Sequence, residues 1–350
     1  MKNFFSSFLK IILLNSIVVI FFLILIEIFF GYWFDKDNFG PYMREHRMKN
    51  QQNIWEYKNE IIKYNYKRNY YGFRADDIEP SDIEAIILGG SVIDQRYTPP
   101  QYTITGFLNE NLKKNNLNLE VVNAGVDGQS TRGMISGFEN WLFKIRDFKP
   151  LFILIYVGIN DQFETDDKIR SKNDGHLLNP DKNEIFKDNL RSRSIIYDKL
   201  RIFKYKYLSD KKKFIKHDFN KKIDKTYIEN FNFASYDKVE REKGNYQSAK
   251  TYLKRIDILQ EYSKRINATP IFITGITSTG HTEKVFVLNN ALMNRCRLKN
   301  YLCIDLARKL KGKVDYWYDG IHTTKEGSKV IADLITPELI SIIKLKNWIA

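Results

Sequence analysis

Residues 11–34 read IILLNSIVVIFFLILIEIFFGYWF, and this run constrains the fold more than any other part of the chain. It exceeds the roughly 20 apolar residues that cross a bilayer and carries a single charge, Glu27, near its far end. Tyr32 and Trp33 stand where aromatic side chains favour a membrane interface, and Lys2 and Lys10 precede the span. A cleavable signal peptide has a shorter apolar core and a small-residue cleavage site, so residues 1–34 read as an uncleaved signal anchor. The positive-inside rule puts Lys2 and Lys10 in the cytoplasm and the rest of the chain outside. Lys36, Arg44, Arg47 and Lys49, just beyond the span, weaken that asymmetry.

The 350 residues are 43% apolar, enough to bury a full core, which excludes global disorder. Residues 35–80, polar with scattered aromatics, read as a stalk and approach segment in which Gly72 marks a turn. From residue 81 short β-branched runs alternate with amphipathic stretches: EAIILGG, YTITGFLNENLKK, LEVVNAG, MISGFENWLFKIRD, LFILIYVG. That is the βαβ rhythm of a parallel sheet, whose strands are continuous apolar runs because helices cover both faces. The pattern stops after Asp161, and about 162–245 offers no strand candidate and reads as a helical or loop insertion. Alternation then resumes with a helix near 247–266, the strand TPIFITGI, a helix near 285–298, the strand YLCIDLA and a closing helix near 324–345. The insertion therefore interrupts one domain over 81–350.

A formal charge of +14 suits an anionic partner, but lysine is abundant along the whole chain and compositional bias is the plainer reading. The basic section 191–225 has the same two readings, a solvated face or a surface for an anionic glycan or lipid headgroups. The two cysteines, Cys296 and Cys303, have neither CxxC spacing nor a matching His pair, so no metal site is expected. They read as packed thiols, with one disulfide between them as the alternative in an oxidising compartment. Walker and dinucleotide glycine patterns are absent, and no nucleic-acid motif accompanies the aromatics, so neither a nucleotide cofactor nor a nucleic-acid partner is expected.

In a doubly wound sheet, ligands bind outside the carboxyl ends of the strands. The first core strand delivers Gly89, Gly90 and Ser91, the second Asn123, Gly125 and Gly128, and the third Gly158, Asn160 and Asp161. Near the end, YWYDGIHTT supplies Asp319 and His322 just ahead of a helix. A serine hydroxyl is a weak nucleophile that needs an imidazole to take its proton, and a carboxylate to fix the imidazole tautomer. Ser91, His322 and Asp319 fit those roles. The backbone N–H groups of Ser91 and Gly128 and the side-chain amide of Asn160 can serve as oxyanion donors. Singly each motif is weak, since Gly-Gly-Ser is usually a turn and DxxH usually a cap; their joint order at strand ends carries the reading. Of the remaining histidines, His46 falls in the stalk and His176 and His217 in the insertion, while His281, in the loop ITSTGHTEK, is a candidate substrate contact.

LGGSV resembles the first block of SGNH (GDSL-like) hydrolases, NAGVDGQST the second, VGIND the GxND third and DGIH the DxxH last, all in the family's order. The resemblance covers 84–345 minus the insertion. It implies a three-layer α/β/α fold with a five-stranded parallel sheet of flavodoxin-like type, a nucleophile at Ser91, oxyanion donors at Gly128 and Asn160, a general base at His322 and its partner at Asp319. Gly90 replaces the aspartate common in the first block, which puts the ordering of the nucleophile turn in question. The general GxSxG elbow is absent because Ile93 takes the place of its last glycine. The expected function is that of a membrane-tethered serine esterase, without cofactor, facing the periplasm or exterior and removing an O-acyl group, acetyl first, from an envelope glycan. Two alternatives stay open: an O-acyltransferase working with a membrane-protein partner, and a catalytically silent glycan-binding protein, against which the intact Ser91, Asn160, Asp319 and His322 argue.

Overall fold

The computed structural model describes residues 2–34, 50–163, 186, 190, 193–203, 215–219, 246–278, 280, 282–310 and 314–348. The chain divides into two compact units, Met1–Glu45 with Pro180–Lys213, and His46–Asn179 with Phe214–Ala350.

The first unit holds the N-terminal helix Lys2–Phe30 and the short helix Ile195–Phe203. Within the former, Lys10–Phe30 is long and apolar enough to cross a membrane, and none of that window is buried. A core helix of a soluble domain would bury such a surface.

The second unit holds the strands β1 (Asn50–Tyr57), β2 (Glu60–Lys67), β3 (Ala85–Leu88), β4 (Val121–Asn123), β5 (Phe152–Val157), β6 (Ile215–Asp218), β7 (Thr269–Thr274) and β8 (Leu302–Ile304). Five of them form a sheet in the order β4-β3-β5-β7-β8, and every adjacent pair is parallel. Ala85 and Ile87 of β3, Phe152 and Leu154 of β5 and Ile271 and Ile273 of β7 share a core with Ile104, Leu108 and Leu112 of the helix Ile104–Lys114 and Ile331, Ile335 and Leu339 of the helix Lys325–Lys346. The strand residues repeat every second position and the helix residues every third or fourth, as one-sided burial demands. The alternate strand residues Ile86, Ile153, Ile155 and Phe272 are just as buried, on the face served by the helices Thr131–Asn140, Tyr246–Arg265 and Glu283–Lys299. The structure is thus the expected three-layer α/β/α sandwich. The chain leaves β3 toward β4 and leaves β5 toward β7, in opposite directions, so the topological switch point, where sheets of this kind place their ligands, falls at the carboxyl ends of β3 and β5.

Two expectations need correction. Residues 50–67, read as part of a stalk, form an antiparallel hairpin, β1 with β2, joined by a two-residue turn in which Lys58 takes a positive φ of 54°. The period-two pattern Asn53, Trp55, Tyr57 buries one face of β1 and explains why this polar stretch folds. Secondly, the 162–245 section does contribute a strand, since β6 pairs in parallel with β1 and completes a three-stranded sheet. Most of that section, with His176, lies outside the described residues, as do His46 and His281.

The cysteines are bonded to each other, Cys296 to Cys303, rather than being packed thiols. Asn300, with φ 54° at the end of the helix Glu283–Lys299, turns the chain back, and Tyr301 N donates to Cys296 O at 3.0 Å. The two Cα atoms come within 6.3 Å, inside the range a disulfide spans.

Candidate active site

Ser91 is the first residue of the four-residue helix Ser91–Asp94, which starts directly at the exit of β3. Close approach explains the two glycines before it. A Cβ on Gly90 would sit 2.8 Å from Gln129 O and nearer still to the amide of Asn160, so no side chain fits there. The amide Nδ2 of Asn160 donates to Gln129 O at 2.7 Å, which fixes its plane and leaves its second hydrogen for another acceptor. Gly128, next to Gln129, has φ 77°. The structure therefore gathers the Ser91 turn, the Gly128 turn and Asn160 at the carboxyl ends of β3 and β5.

Asp161, beside Asn160, braces that corner. Its Oδ1 accepts from Thr131 N at 3.1 Å and Thr131 Oγ1 at 2.5 Å, its Oδ2 accepts from Gly158 N at 3.2 Å, and Arg255 Nη2 lies 3.3 Å away. A carboxylate at the first turn of the helix Thr131–Asn140 also complements the helix dipole.

Ser91 Oγ lies 2.7 Å from Nε2 of His322, across a sequence separation of 231, and His322 Nδ1 lies 2.6 Å from Asp319 Oδ2. Asp319 Oδ1 accepts from the backbone N–H groups of Ile321 at 2.8 Å and His322 at 2.7 Å, so the carboxylate also folds the tight turn that carries the histidine. Burial pushes the Asp319 carboxyl up, but the hydrogen bond and charge of His322, with those two N–H groups, outweigh it and hold the carboxyl below its ordinary value. Asp319 is then an anion at neutral pH, and its contact makes Nδ1 the protonated ring nitrogen, leaving Nε2 to accept. The ring of Tyr318 stacks on His322 with centroids 5.7 Å apart, and Phe219, just after β6, packs edge-on to Tyr318 at 4.3 Å. Tyr318 and Phe219 join Trp55 and Tyr57 of the hairpin in one small aromatic core behind the imidazole.

The residues that hold the Ser91 turn from behind were not foreseen. Asp94 Oδ1 accepts from Tyr66 Oη at 2.7 Å and Arg68 Nη2 at 2.9 Å, and Arg96 Nη2 approaches its other oxygen at 3.7 Å. Arg68 also donates to the carbonyls of Gly72 and Gly125, and Arg74 to those of Asp94, Gln95 and Thr98. Burial raises the Asp94 carboxyl, but the charges of Arg68, Arg74 and Arg96 and the Tyr66 hydroxyl prevail and lower it. Asn123 and Gly125, read as crevice residues, serve the same scaffold: Asn123 Nδ2 donates to Ile93 O at 2.7 Å. The signal for Asp94 was its place three residues after Ser91. Its partners Tyr66, on β2, and Arg68, just after it, carry no local pattern that names them. Among the described residues no group of three or more His, Cys, Asp or Glu is placed to hold a metal ion.

No family model and no curated protein matches the chain. The solved structures to which it is similar include a lipolytic protein and several esterases. One is described as a lipolytic protein of the G-D-S-L family from Desulfitobacterium hafniense DCB-2, with 13% identity over 73% of this chain and 99% of that one at a TM-score of 0.42. Another is the psychrotrophic esterase EstA from Pseudoalteromonas sp., with 13% identity over 75% of this chain and 100% of that one at a TM-score of 0.43. A third is an acetylxylan esterase from Geobacillus stearothermophilus, with 14% identity over 75% and 95% and a TM-score of 0.43.

Proposed function

We propose that this chain is a serine ester hydrolase of the SGNH kind that removes O-acyl groups, acetyl first among them, from a cell-envelope glycan. The observation that supports this most is the unbroken contact from Ser91 Oγ through both nitrogens of His322 to Asp319. In the reaction, His322 Nε2 takes the Ser91 proton as Oγ attacks the ester carbonyl carbon. The carbonyl oxygen becomes an oxyanion received by the N–H groups of Ser91 and Gly128 and the free N–H of Asn160. Collapse expels the sugar alkoxide, which takes the proton from His322 and leaves an acyl-Ser91. Water then attacks the acyl carbon with His322 again as base, releasing the carboxylic acid and restoring the serine. Asp319 stays ionised throughout and stabilises the imidazolium.

The glycan assignment rests on the anchor: an enzyme tethered at a membrane meets envelope esters at high local concentration. The Cys296–Cys303 disulfide supports an oxidising compartment, and so an extracytoplasmic catalytic unit. The test uses the full-length protein in detergent with a fluorophosphonate probe and an acetylated sugar. Wild type is expected to take the label and release acetate, and Ser91→Ala to do neither while melting at the same temperature. A folded wild type that stays unlabelled would overturn the assignment.

A further inference from the structure

The acid near the end of the apolar span is not idle. Glu27 lies three residues before the end of the N-terminal helix, about 5 Å along its axis. An ionisable group at such a depth is costly unless its bonding is complete. Its Oε1 accepts from Ser194 Oγ at 2.5 Å and Ile196 N at 3.0 Å, and its Oε2 from Trp33 Nε1 at 2.7 Å and Ile195 N at 3.3 Å. Two of those donors are first-turn N–H groups of the helix Ile195–Phe203, the groups a helix leaves without internal partners. Ser194 Oγ accepts in turn from Tyr197 N at 3.0 Å, and Tyr32 N donates to Arg193 O at 2.8 Å. The span thus caps a second helix from a distance of 167 residues or more in sequence.

That second helix does not have the surface of a water-soluble one. Tyr197, Leu200 and Phe203, each three residues after the last, are 39%, 61% and 52% exposed, and Phe186 and Leu190 just before the helix are exposed as well. Between 191 and 206 the sequence sets Arg191, Arg193, Lys199, Arg201, Lys204 and Lys206 against one acid, Asp198. Exposed aromatic and aliphatic side chains interleaved with cations are the composition of a helix lying in the headgroup region of an anionic membrane.

We propose that the helix Ile195–Phe203 is an interfacial membrane-binding element. The Glu27 cap fixes it at the exit of the span, its apolar side chains enter the acyl boundary, and its cations meet anionic lipid headgroups. Hydrogen-bonded continuity with the span selects lipid over a protein partner, because the helix starts where Tyr32 and Trp33 mark the interface. The inference rests on reading Lys10–Phe30 as membrane-spanning, and the experiment separates the two.

The full-length chain is reconstituted into phosphatidylcholine vesicles containing phosphatidylglycerol, with an environment-sensitive dye on Leu200→Cys or on Val19→Cys. The native cysteines are bonded to each other and do not compete for the dye. At Val19, quenching by lipids carrying a deep nitroxide is expected, with none by iodide. At Leu200, a shallow nitroxide should quench about threefold more than a deep one, with iodide again weak. Adding Glu27→Ala should restore iodide quenching at Leu200 and leave Val19 unchanged. A Leu200 dye open to iodide and untouched by lipid nitroxides, with Val19 still in the bilayer, would overturn the interfacial helix alone. A Val19 dye open to iodide would remove the span and this proposal together. Lipid contact at Leu200 that survives Glu27→Ala would remove the capping role.

Discussion

Two turns deliver the two halves of the proposed catalytic pair, and they are built from opposite materials. The Ser91 turn is backed by buried charge: the side chains of Asp94 and Arg68 are 1% and 0% exposed, and three arginines converge on one carboxylate and its neighbouring carbonyls. The His322 turn is half open, with Asp319 43% and His322 26% exposed, and it leans on aromatic packing and on two N–H bonds to its own carboxylate. A nucleophile gains from a fixed position against the oxyanion donors, whereas the base must stay reachable by the leaving group and by water. The contrast predicts different failures at the two ends.

The largest effect belongs to the open end. His322→Ala is expected to lower kcat by three orders of magnitude or more, about 4 kcal/mol of barrier, with little change in melting temperature. Asp319→Asn keeps the acceptor for the Ile321 and His322 N–H groups but loses the anion, and should cost about two to four orders. Acetate release measured alongside a thermal melt separates these results from unfolding. A large drop in melting temperature for His322→Ala would make that residue structural.

At the buried end stability should fail first. Removing one partner of a buried ion pair strands the other, so Asp94→Asn is expected to destabilise the chain by about 3 kcal/mol at neutral pH. Because the folded Asp94 carboxyl lies below its unfolded value, its contribution is complete above the ordinary carboxylate range and is lost as pH falls through the depressed value. The gap between wild type and Asp94→Asn in guanidinium midpoint should therefore narrow on acidification. A gap that widens in acid would contradict an ionised Asp94 among its arginines.

The same contrast governs what could be read from sequence. Ser91, Asn160, Asp319 and His322 were legible because strand exits and helix starts are local patterns, and the α/β/α layering followed from apolar runs such as FILIYV. Trp55, Tyr66, Arg68 and Arg74 were not, because their partners stand far along the chain and their segment is polar enough to pass for a stalk. The clue that was there, the alternation Asn53, Trp55, Tyr57, spans only three positions, and Lys58 is an unusual residue for a positive-φ hairpin turn. The Cys296–Cys303 bond depended on Asn300 reversing the chain, a detail of helix termination that spacing alone does not fix.

The smallest expected effect falls where the two ends meet. Gln95 closes the Ser91 helix in a left-handed conformation, φ 43°, and its Nε2 donates to Thr323 Oγ1 at 3.1 Å and Ser328 Oγ at 2.8 Å, beside His322. Its Oε1 accepts from Ile104 N at 2.6 Å. Truncation to Ala leaves the Thr323 and Ser328 hydroxyls bonded to each other, 2.8 Å apart, so the lasting loss is one acceptor and one link between turns, about 1–2 kcal/mol of stability. If that link sets the distance between Oγ and Nε2, Gln95→Ala should lower kcat about tenfold with KM unchanged, and Gln95→Glu, which can accept from both Ile104 N and a neighbouring hydroxyl, should recover part of it. A drop in melting temperature with kcat intact would show that the turns hold their separation independently, each by its own means.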